Sequence, residues 1–125
     1  MGLLKPKEEK KPTELNAFEL ENTLYKSLNR RMQLGKVVIP DEIIELKNLE
    51  LKIIRAYFVL GIKERDKDKR KDRYEKTINE CKNYNENAKK YPIYQNDAKA
   101  LQEVDHIYEG VKTKLNLLLR NLHNH

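Results

Sequence analysis

The chain has a single cysteine, Cys81, so no internal disulfide can form and a reducing, cytoplasmic setting is expected. It has no tryptophan and one serine, and only four glycines and four prolines. So few chain-breakers leave little room for the many turns of a β-sandwich or barrel. The glycines are scattered and none precedes Lys-Ser or Lys-Thr, which removes the phosphate loop. The lone serine, Ser27, has no histidine near it in sequence, and no G-x-S-x-G is present. No run approaches the roughly 18 apolar residues of a membrane span. The opening MGLLKPKEEKKP lacks the apolar core of a signal peptide, and Pro6 stands where a myristoylation signal has Ser or Thr.

What is present is charge. Asp, Glu, Lys and Arg make up 37% of the 125 residues, which suits long solvated helices in a single domain. The formal net charge of +6 is compatible with nucleic acid, an anionic membrane surface or an acidic protein as partner, without requiring any of them. The cations are 19 Lys and 7 Arg. Bidentate reading of guanine or phosphate favours Arg, so a nucleic-acid contact would be diffuse backbone binding.

The most apolar stretch is Asp41–Leu60. Leu46, Leu49, Ile53, Ala56 and Leu60 form one stripe, and Ile44, Leu51, Ile54 and Phe58 form another. Both are helical in period, and a surface helix shows only one stripe about 100° wide. This segment is therefore expected to be the hub, with Asp41 as N-cap and Gly61 as the left-handed residue that ends it.

Residues 1–12 read as a flexible charged arm and 13–125 as an all-α, four-helix bundle, with helices over about 13–34, 41–60, 63–90 and 95–122. The first helix is expected to start with Thr13 as N-cap and to end at Gly35, with Leu15, Phe18, Leu20, Leu24, Tyr25, Leu28 and Met32 forming one apolar stripe. Lys63–Arg73 is a run of seven basic and four acidic residues with opposite charges at i,i+3, which predicts a solvated helix start or linker and, because the signs are mixed, a poor phosphate tract. Tyr74, Ile78, Cys81, Asn85 and Ala88 form the next apolar stripe, with Cys81 facing the core as a small hydrophobe. Pro92 must break the helix. Leu101, Val104, Tyr108, Val111, Leu115, Leu118 and Leu122 then alternate steps of three and four, a seam for packing along another helix. The third and fourth helices should form a hairpin, with Leu117 and Leu119 widening the seam toward the first two.

Few constellations carry chemistry. Glu103 and His106 have the Glu-x-x-His spacing of di-iron bundles but fall on the outer face without a second pair, so no metal or cofactor is expected. The ending Arg120-Asn121-Leu122-His123-Asn124-His125 resembles the Arg-x(4–6)-His signature of HEPN ribonucleases. That resemblance implies an all-helical, usually dimeric RNA-cleaving protein in which Arg120 and His125 flank the scissile phosphate, with Asn121 beside them. On a straight helix residues five apart point about 140° away from each other, so the competing reading is a polar helix end. The remaining candidate is the turn between the third and fourth helices. There Lys82, Tyr84, Lys89, Lys90, Tyr91, Tyr94 and Lys99 mix cations with rings that could stack on unpaired bases. Arg30 and Arg31 add a basic helix end.

The expectation is a non-enzymatic helical subunit or accessory factor of a larger assembly, contacting nucleic acid non-specifically through lysine-rich surfaces. A purely protein-binding viral, mobile-element or structural module is the alternative, and a HEPN-like ribonuclease the second. A protein partner is expected, nucleic acid is compatible, and membrane insertion is not expected.

Overall fold

The computed structural model describes residues 11–123, and their side chains as far as Asn121. The expected arm at 1–12 therefore lies almost wholly outside the described residues, as does His125. A 3-10 turn, Pro12–Glu14, leads into α1 (Ala17–Leu34), α2 (Pro40–Lys63), α3 (Lys67–Lys90), the one-turn α4 (Pro92–Gln95) and α5 (Ala98–His123). Among the described residues there are no strands.

The helix ends follow capping chemistry, and several differ from the sequence expectation. Asn16, not Thr13, caps α1, its Oδ1 accepting the Glu19 N–H at 2.8 Å. Gly35 ends α1 with a positive φ of 58°, a conformation that glycine adopts without strain. α2 opens with Pro40 at its first position and Asp41 and Glu42 in the first turn, so Asp41 favours the dipole but is not the cap. Gly61 does not end α2. It lies buried inside the helix because a Cβ there would sit 2.7 Å from Cε1 of Tyr74 on α3. α3 starts at Lys67 rather than Lys63, capped by Asp66 Oδ1, which accepts the N–H groups of Asp68 and Lys69. α5 starts at Ala98, where Asp97 Oδ1 accepts the Ala100 N–H at 3.1 Å.

α2 is the hub. Its Leu51 and Ile54 join Tyr74, Cys81 and Tyr84 of α3, Tyr94 of α4 and Val104, Ile107, Val111 and Leu118 of α5. Its Ile53, Ala56, Tyr57, Val59 and Leu60 meet Leu20 and Leu24 of α1 in a second cluster. Ile53 and Ile54 are both fully buried, each contributing about 1.5–3 kcal/mol, and they point to opposite clusters. Neighbouring residues on one helix thus hold two layers together.

The α3 stripe runs Tyr74, Thr77, Cys81, Tyr84 and Ala88, and Asn85 is exposed. Alternating steps of three and four place Tyr84, not Asn85, inward. Thr77 is tolerated in the core because its hydroxyl donates to the Arg73 carbonyl at 2.7 Å. α5 packs on α3, but Leu117 is 54% exposed, so the expected widening toward α1 does not occur there. α1 instead reaches α3 through ion pairs, Arg31 with Glu80 and Glu21 with Arg73.

Candidate nucleic-acid interface

The expected interface at the α3–α5 turn is taken apart by burial. Tyr84 and Tyr94 are both 0% exposed, and their rings lie against each other with centroids 4.8 Å apart. Tyr91, half-buried, stacks on Tyr94 at 5.8 Å. These rings form the core between α2, α3 and α4, so Tyr84 and Tyr94 cannot stack on bases. Lys82, Lys89, Lys90 and Lys99 are exposed, with Lys89 paired to Glu86 at 3.1 Å. Arg30 pairs with Glu45 of α2 at 2.7 Å, and Arg31 makes two bonds to Glu80 of α3. Both arginines are therefore engaged in holding α1 to its neighbours.

The group that organises this end has no local signal in the sequence. Glu50 of α2 is fully buried, and its carboxyl accepts from Tyr94 Oη, Asn83 Nδ2 and Asn87 Nδ2, the last at 2.9 and 3.1 Å. Burial pushes its pKa up, against the opposing pull of the Tyr94 and Asn87 hydrogen bonds and the Arg31 charge. Burial likewise raises the Tyr94 phenol, and the Glu50 carboxyl beside it adds to the effect. Glu50 lies at a cleft of about 510 Å³ that Arg31, Lys36 and Glu80 also line. Its acceptor sites are filled from within the protein, which makes it a tie between α2, α3 and α4. The Lys47–Asp97 pair fastens the same end, and that hydrogen bond holds the Asp97 carboxyl below the usual range.

The opposite end is different. The turn Glu64–Asp66 joins α2 to α3, and α5 returns antiparallel along α3, bringing the half of α5 from Lys112 onward beside the first turns of α3. Residues 63–73 carry seven cations and residues 112–120 carry three, against four carboxylates, all in 63–73. The excess of six equals the formal charge of the whole chain, so the remainder is balanced.

The i,i+3 ion pairs expected in Lys63–Arg73 do not form. Asp66 is occupied by the backbone N–H groups of α3 and Glu64 accepts the Asp66 N–H, while Asp72 pairs with Lys76 at 3.0 Å. Arg70 donates to the Glu64 carbonyl, and Lys63 to the carbonyls of Thr13 and Leu15. Arg65, Lys67, Lys69 and Lys114 are exposed, as is Arg120, and Lys71 is half-buried. None of these six forms an ion pair among the described residues.

Other candidates resolve individually. Burial pushes the Cys81 thiol up to about 12, which leaves it a core residue without thiolate character. Glu103 is paired with Arg55 of α2, and His106 is exposed one turn on. No group of three or more His, Cys, Asp or Glu among the described residues could hold a metal ion. Arg120 and Asn121 lie exposed on α5, and their expected partner His125 falls outside the described residues. No described helix is long and apolar enough to cross a membrane.

The chain is thus a small all-helical assembly with a tightly tied end and a basic end. No known protein-family model matches it, and neither a curated protein nor a solved structure shows significant similarity to it.

Proposed function

We propose that the protein is a small helical accessory subunit of a larger assembly that contacts nucleic acid, without sequence preference, through its basic end. One observation carries this reading: the chain's excess charge falls where α3 begins and α5 finishes, and Arg65, Lys67, Lys69, Lys71, Lys114 and Arg120 there form no ion pair among the described residues. Unpaired ammonium groups can exchange for the counterions condensed on a phosphate backbone, and the release of those counterions drives association. Lysine-dominated contacts position a backbone and carry no base code, so sequence tolerance is part of the proposal. Fluorescence anisotropy with labelled single- and double-stranded oligonucleotides, titrated over salt, tests it. The affinity should fall steeply with salt, and replacing Lys69, Lys71 and Lys114 together by Glu should remove most of it. Binding unaffected by that triple change would refute the assignment of the basic end.

A second reading, a protein-binding module, is favoured by a separate feature. Phe18, Tyr25 and Met32 on α1 are 73%, 63% and 78% exposed. Large apolar side chains aligned on one outer helix face mark a contact surface more often than singly scattered ones do.

A further inference from the structure

We infer that α1 is a dimerisation helix, pairing antiparallel with the α1 of a second copy across a two-fold axis at Tyr25. This rests on the reading of α1 as a protein-binding surface and is independent of nucleic acid. Phe18, Tyr25 and Met32 recur every seven residues, about two helical turns, so they form one outward line. Leu20, Leu24 and Ser27 of the same helix are buried toward α2, which leaves the line without an intramolecular partner among the described residues.

The spacing is symmetric about Tyr25. A two-fold axis there sets Tyr25 on its own counterpart and Phe18 on the Met32 of the second copy, an isologous match that needs no other surface. The Phe–Met contact joins a ring to a polarisable thioether, a favourable pairing.

Charge selects the antiparallel sense. Residues 14–25 hold Glu14, Glu19 and Glu21 and no cation, whereas 26–36 hold Lys26, Arg30, Arg31 and Lys36 and no carboxylate. Arg30, Arg31 and Glu21 are offset by Glu45, Glu80 and Arg73, yet each half keeps its sign. Parallel pairing would set like halves together, and antiparallel pairing sets each half against its opposite.

The three exposed side chains offer roughly 400 Å² per copy, from the 150–250 Å² that each aromatic can bury. That is below the roughly 800 Å² per partner of a standard interface, so a weak, concentration-dependent dimer is expected. Since α1 starts at the basic end, antiparallel pairing would put the two basic ends at opposite poles.

The test uses the whole chain, free of nucleic acid. In sedimentation equilibrium the native protein should move from monomer to dimer mass with rising concentration, and Phe18→Glu with Met32→Glu should stay monomeric while keeping its helical circular dichroism. Tyr25→Cys should form a symmetric disulfide-linked dimer far faster than Asn96→Cys, an exposed control; native Cys81 is buried and does not compete. Glu19→Lys should weaken the dimer, and adding Lys26→Glu should restore it. A native chain that stays monomeric to about millimolar concentration, a weak regime by affinity arithmetic, would overturn the inference. So would a Phe18→Glu, Met32→Glu variant that dimerises like the native chain, or crosslinking at Tyr25 no faster than at Asn96. Because nucleic-acid binding is measured separately, failure here leaves the basic-end proposal standing.

Discussion

The two ends of the helical assembly use similar residues to opposite effect. At the turn end, Arg30, Arg31 and Lys47 are matched by Glu45, Glu80 and Asp97, and Tyr84 and Tyr94 are buried under α2. At the basic end the carboxylates of Glu64 and Asp66 meet backbone amides instead, and the lysines beside them are left without ion pairs. A segment's composition therefore says little about which charges are available. What decides it is whether the nearest carboxylate has been claimed by a helix end or by a side chain from another helix.

The comparison can be broken most severely at Glu50. Replacing it with Ala strips the acceptors from Tyr94, Asn83 and Asn87 and should cost about 3 kcal/mol in urea denaturation, the range for breaking a buried polar network. A loss below about 1 kcal/mol would mean that the turn end is not tied as described. The same carboxyl gives a pH signature. Its folded pKa is raised, so the folded state holds the proton more tightly than the unfolded chain does. Stability should decline as pH rises from the unfolded value near 4.3 through the raised folded pKa, and Glu50→Gln should flatten that decline.

Next in size is a contrast between two equally buried tyrosines. The Tyr94 hydroxyl donates to Glu50, whereas the Tyr84 hydroxyl has no hydrogen-bond partner among the described residues. Tyr94→Phe should lose about 2 kcal/mol, the worth of a hydrogen bond to a charged or buried acceptor. Tyr84→Phe should be neutral or stabilising by up to about 1 kcal/mol, since it removes a hydroxyl buried without a partner. Equal losses at both positions would show that the network extends further than Glu50.

A smaller effect is expected at Gly61. Helix propensity alone favours Ala over Gly by about 1 kcal/mol. The added Cβ would meet the buried Tyr74 ring at 2.7 and 2.8 Å, so Gly61→Ala should instead lose about 1 kcal/mol net through overpacking. A gain in thermal stability would show that the α2–α3 contact yields easily.

How much of this was legible depended on whether the deciding partner was near in sequence. The hub role of α2 and the α5 seam follow from apolar periodicity within one helix, and both were readable. Gly61 was misread as a terminator because its actual constraint, the Tyr74 ring, comes from the next helix. Tyr84 was assigned to the surface because Asn85 was given the inward position, an error of one residue that turns the helix by about 100°. Glu50 gave no local signal at all, since its donors lie 33 to 44 residues further along the chain. The mixed signs of residues 63–73 argue against a phosphate tract, and only the capping role of Asp66, which diverts its carboxylate to backbone amides, leaves the neighbouring lysines free. A count of net charge per segment, set beside the expected antiparallel hairpin, could have found the basic end.

The central claim is that nucleic acid meets the end where the chain's excess positive charge collects, and a matched pair of charge reversals tests it directly. Lys69, Lys71 and Lys114 would be changed to Glu in one variant and Lys82, Lys90 and Lys99 in another, and the salt dependence of oligonucleotide binding measured for each. The first variant should lose most of its affinity and flatten its log–log salt slope by about 2–3, at roughly 0.7–0.9 per phosphate contact removed. The second should bind nearly as the native protein does. Equal losses in both variants, or a loss confined to the second, would contradict the account.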